Sequence, residues 1–76
     1  MEYDDIWQIQ DEITSAVNSL DFSIWDMHYD RQSFSFRIEL TEHLPDEVLT
    51  SFGSQMPLPT DYDDEGSHGS VFTLYP

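Results

Sequence analysis

Polar and apolar residues alternate without a break from Ser33 to Leu40, Ser-Phe-Ser-Phe-Arg-Ile-Glu-Leu, which predicts a half-buried β-strand. Successive strand side chains point to opposite faces, so Phe34, Phe36, Ile38 and Leu40 share one face and Ser33, Ser35, Arg37 and Glu39 the other. Upstream, Ile6, Ile9, Ile13, Ala16, Val17 and Leu20 recur at helical spacing and fall within one arc of a helix over Asp4 to Leu20. Asp4 or Asp5 can cap that helix, and acids in its first turn suit the positive end of the helix dipole. Its solvent face carries Asp4, Gln8, Asp11 and Ser15, with Glu12 beside them.

Phe22 to Tyr29 predicts a second strand, joined to the first through Asp30 and Arg31. An even loop sets Trp25 opposite Phe36 and Met27 opposite Phe34, whereas a three-residue loop flips the face. In the even register Phe22 and Ile24 look away from the first helix, beside Glu39 and Arg37. Pro45 suits the first turn of a second helix and Gly53 its C-cap, with Leu44, Val48, Leu49 and Phe52 as the buried stripe. Prolines, glycines and the acidic run Asp61 to Glu65 give residues 54–69 the chemistry of a loop, and Val71 to Tyr75 predicts a last strand. The expected fold is α+β: a small antiparallel sheet with two helices on one face, in the order helix, strand, strand, helix, strand.

Size makes this a single acidic domain over residues 1–76, and one of 8.9 kDa has little core with which to stabilise itself. It has no cysteine for a disulfide or thiolate site. Acidity dominates everything else: sixteen Asp and Glu face two Arg and no Lys, for a formal net charge of -14. Such acidity favours disorder when apolar residues are scarce, but 38% of this chain is hydrophobic and 14% aromatic, so a folded domain is expected. The start, Met-Glu-Tyr-Asp-Asp, has no basic and apolar leader pattern, and no segment approaches the roughly 20 apolar residues of a membrane span. The expectation is a cytoplasmic protein.

Specific chemistry is thinly represented. Asp61-Tyr62-Asp63-Asp64-Glu65-Gly66 opens like an EF-hand loop, but Phe72 stands where a bidentate glutamate should close the cage. His28, His43 and His68 lack ligand spacing, so no metal or cofactor is expected. No hydroxyl, base and acid are brought together by spacing, and a chain this short seldom builds a cleft that tunes a carboxylate, so no enzyme is expected. Direct nucleic-acid binding, which relies on Lys and Arg against phosphate, is excluded by charge.

The field itself repels nucleic acid and anionic membrane and attracts basic proteins. Duplex DNA carries one negative charge per about 1.7 Å, so fourteen charges correspond to about 24 Å of duplex, and a domain of this length is about 30 Å across. In size, acidity, aromatic content and absence of catalytic motifs, the chain resembles the small phage-encoded DNA mimics, especially anti-CRISPR and antirestriction inhibitors. That resemblance implies binding to the DNA-binding surface of a CRISPR effector or restriction complex, in a host bacterial cytoplasm. Two other readings stay open: an acidic adaptor or regulator that docks a basic protein, and adaptation to a salt-rich cytoplasm. The partner-binding candidates are Asp61, Asp63, Asp64 and Glu65, then Asp4, Asp11 and Glu12, then Glu42, Asp46 and Glu47.

Overall fold

A computed structural model describes the backbone of residues 3–76 and the side chains of residues 5–76. Six elements follow one another: α1 (Tyr3–Ser19), β1 (Ile24–Asp30), β2 (Ser35–Leu40), α2 (Asp46–Ser54), β3 (Thr60–Glu65) and β4 (Ser70–Leu74). The strands form one sheet in the order β1-β2-β4-β3, with every neighbouring pair antiparallel. The α+β class is as expected, but the order gains a strand, because the acidic stretch expected as a loop forms β3.

The reason for β3 lies in its neighbour. Ser70, Val71, Phe72 and Leu74 of β4 are buried, and a buried strand must satisfy backbone groups along both edges. Strand β2 serves one edge of β4, so Thr60 to Glu65 is recruited to the other despite a composition disfavoured in strands. As an outermost strand it can carry charges that a central strand could not, and those charges discourage edge-to-edge association.

Helix α1 starts at Tyr3, earlier than expected, so Asp4 and Asp5 belong to its first turn rather than capping it; the Asp4 side chain lies outside the described residues. At its other end Asp21 adopts φ 66, Asp21 N–H donates to Asn18 at 3.0 Å, and Phe22 N–H donates to Val17 at 3.2 Å. These paired bonds close the helix in a Schellman arrangement and swing Phe22 back onto the core. Helix α2 begins after Pro45 and contains Gly53; its C-cap is Gln55.

The β1–β2 hairpin corrects the expected register. Arg31 to Phe34 form the connection, Asp30 pairs with Ser35, and Tyr29, not Trp25, stands opposite Phe36 with ring centroids 4.8 Å apart. A bulge between Ile24 and Asp26 absorbs one residue, which leaves Trp25 56% exposed and lets Ile24 pack against the core. Phe22 and Ile24 therefore join the core instead of facing away from it. Phe34 leaves the strand altogether, exposed in the turn at φ 53. Asp30 accepts from Gln32 N–H at 2.9 Å and holds the turn.

One cluster unites both helices with the sheet: Ile13 and Val17 of α1, Phe36, Ile38 and Leu40 of β2, Phe52 of α2, and Phe72 and Leu74 of β4. Phe52 and Phe72 lie 4.4 Å apart between ring centroids, fastening α2 over β4. Gly69 lets the β3–β4 turn lie against the chain leaving β2, because a Cβ there would collide with the Leu40 carbonyl oxygen and the Glu42 backbone. Among the described residues, no helix is long and apolar enough to cross a membrane.

Candidate functional site

Strand β3 gathers acids along one edge of the molecule. Asp61, Asp63, Asp64 and Glu65 are all exposed, and at about 3.3 Å of rise per residue their backbone positions span about 13 Å. Helix α2 packs against this strand, and its first turn adds Asp46 and Glu47, where the dipole favours negative charge. Glu42 precedes that helix, and its carbonyl accepts from Ser70 N–H at 3.1 Å, opposite Glu65 in the β3–β4 register. Seven of the ten candidate acids thus border one edge.

The other candidates belong elsewhere. Asp11 and Glu12 are exposed on α1. The neighbouring turns of that helix, at Ile6, Trp7 and Gln10, line a hollow with Tyr29 and Arg31 at the β1 side of the sheet. The structure brings together the sets around Asp61 and Asp46 but does not join Asp11 and Glu12 to them.

Some acids of the edge have internal partners. Asp63 pairs with Arg37 across β4 at 3.3 Å, with both side chains well exposed, so the pair is held loosely. Glu65 is the most engaged: it accepts from the Tyr62 hydroxyl at 2.5 Å and the Ser70 hydroxyl at 3.0 Å, and His43 Nδ1 lies 2.6 Å away. The Tyr62 hydrogen bond, followed by those from His43 and Ser70, holds the Glu65 carboxyl below its usual range against a smaller opposing effect of burial. The same bond pushes the Tyr62 phenol up to about 12, because ionising it would set two negative oxygens together. Buried Ser70 also accepts from Leu44 N–H at 2.9 Å, so Glu65 is tied through one hydroxyl to the approach into α2.

A second group occupies the sheet face turned away from the helices. The Trp25 indole stacks on His68 with ring centroids 3.9 Å apart, and His68 Nδ1 lies 3.3 Å from Glu39. The Glu39 carboxyl is held low chiefly by the His68 backbone N–H, which donates to it at 2.8 Å. His28 pairs with Asp26 at 2.7 Å. The His68 contacts tether the β3–β4 turn to β2 and β1, and the His28–Asp26 pair lies within β1.

Among the described residues, no group of three or more His, Cys, Asp or Glu is placed to hold a metal ion. An EF-hand loop curls its oxygens around one ion, whereas extended backbone spreads Asp61 to Glu65 along an edge. Between β3 and α2 lies an open cleft of about 550 Å³, lined by Asp46, Leu49, Gly53, Asp61, Tyr62 and Phe72 among others. Sequence reasoning missed Tyr62 and Gly53 here, although the spacing of Thr60 and Tyr62 within the acidic run was a faint sign of an inward strand face. No family model, curated protein or solved structure matches the chain.

Proposed function

We infer that the protein acts as a DNA mimic: its acidic β3–α2 edge binds the DNA-binding surface of a CRISPR effector or restriction complex and keeps duplex DNA off it. The observation that carries this reading is the geometry of β3. Four acids within five consecutive strand residues give one charge per about 4 Å of edge, shared between the two faces of the strand, and one strand of B-DNA carries one phosphate per about 3.4 Å. Overall dimensions agree with it. The molecule measures 35 × 24 × 19 Å, and a duplex 35 Å long carries about 20 charges, so a net -14 is about two thirds of duplex density. Attraction between such a field and a cationic channel speeds encounter, while the fixed strand supplies the geometry that selects among basic surfaces.

Competition with duplex DNA tests the reading. Titrating the protein into purified CRISPR effector and restriction complexes should displace labelled duplex from one of them, and the displacement should weaken steeply as salt rises. Reversing Glu47 and Asp64 to Lys should abolish displacement with the fold intact by circular dichroism, whereas reversing Asp11 and Glu12 should leave most of it. A complex that binds this protein and duplex together, neither affecting the other's affinity, would instead establish an acidic adaptor.

A further inference from the structure

We propose that the cleft between α2 and β3 is a receptor for one arginine side chain of the partner, and so the anchoring point of the acidic edge; the partner's nature rests on the mimic reading. Cleft walls differ in chemistry. Leu49 and Phe72 supply an apolar floor, the exposed Tyr62 ring supplies an aromatic wall, and Asp46 of α2 supplies a carboxylate, while Asp61, paired with Thr73, borders the cleft on β3. An arginine uses all three, laying its methylene stem on the floor, stacking its guanidinium on the ring and pairing with a carboxylate. Lysine, a strongly hydrated point charge, uses the ring and the carboxylate less well.

Complementarity goes beyond the lining. Glu65, through its hydrogen bond, chiefly resists ionisation of the Tyr62 hydroxyl, and Asp64 and Asp46 add to it, so three carboxylates stand near that end of the cleft. The Glu65 hydrogen bond also fixes the ring that a guanidinium would meet. Gly53 gives independent support. It lies within α2, no glycine here has positive φ, and an added Cβ would meet Thr60 at an ordinary 3.6 Å. Neither backbone conformation nor packing demands glycine, which is a poor helix former, and its missing side chain keeps the cleft open.

Titrating the isotope-labelled full chain with acetyl-Gly-Arg-Gly-amide, at constant ionic strength, tests this by amide chemical shifts. Saturable shifts should concentrate at Leu49, Gly53, Thr60 and Tyr62, and acetyl-Gly-Lys-Gly-amide should bind more weakly. Asp46→Asn should weaken the arginine peptide about tenfold through loss of a charge-assisted contact. Gly53→Ala should weaken it too while making the fold more stable, a combination that damage to the structure would not produce. Equal response to the two peptides, shifts shared evenly with α1, or no effect of either substitution would overturn the proposal. Duplex displacement by the same samples separates the two readings. Displacement without arginine-selective binding removes the receptor and leaves the mimic, and arginine-selective binding without displacement does the reverse.

Discussion

Phe36 shows how much of the fold depends on single side chains. It is fully buried in mid-β2, packed against Tyr29 and within the cluster that joins both helices to the sheet. Truncation removes a ring that the neighbouring backbone cannot collapse to replace, so Phe36→Ala should cost about 3–5 kcal/mol. That is comparable with the whole stability of a small domain, and urea denaturation should show a largely unfolded variant. A transition within a few degrees of wild type on heating would place Phe36 outside the core. The burial of Phe36 was legible from alternation, but its partner was not, because the connection takes all of Arg31 to Phe34 and pairs Asp30 with Ser35, which sets Tyr29 opposite Phe36.

Strand β3 is stabilised at its far end by Glu65, and this makes a spectroscopic prediction. The Tyr62 phenol is raised to about 12 by its bond to Glu65, so alkaline difference absorbance should show a late tyrosinate step near that value. Glu65→Gln removes the charged acceptor and should return Tyr62 toward the ordinary range of about 10. Linkage then follows with opposite signs at the two partners. Tyr62, raised on folding, contributes stability that is present below its unfolded value and lost as pH climbs through about 12. Glu65, depressed on folding, contributes stability present above its unfolded value and lost as pH falls through its lowered one. The contribution of this pair should therefore be greatest in the interval where the carboxylate is charged and the phenol is not. Tyr62 titrating in the ordinary range of about 10 would mean that this bond is absent in solution.

Across the whole molecule, net charge sets the response to salt. Sixteen acids repel one another over a body only 35 Å long, and raising salt from about 0.1 M to about 1 M shortens the screening length from about 10 Å to about 3 Å. Monovalent salt should stabilise the fold by about 1 kcal/mol, or about 4–8 °C in melting temperature, while the chain is already folded at low salt. Unfolding at about 0.1 M with folding only in molar salt would favour the salt-adapted reading. Calcium at matched ionic strength should add nothing further, and a saturable excess would show that the β3 acids can converge on an ion.

The sequence alone determined α1, β1, β2, α2 and β4, because each carries its own run of apolar residues, and it determined the acidic field, which depends on composition rather than on contacts. Those elements and that charge follow from local chemistry. Only the tertiary structure decided that Thr60 to Glu65 is a strand, since the drive to extend it comes from the unpaired edge of buried β4 and not from its own side chains. The same long-range pairing set the acids of β3 beside those of α2, turned Trp25 outward and Ile24 inward, and opened the cleft over Tyr62. Backbone hydrogen bonding between segments distant in the chain made those choices, and the local pattern of residues carries at most the faint alternation of Thr60 and Tyr62 as a trace of it.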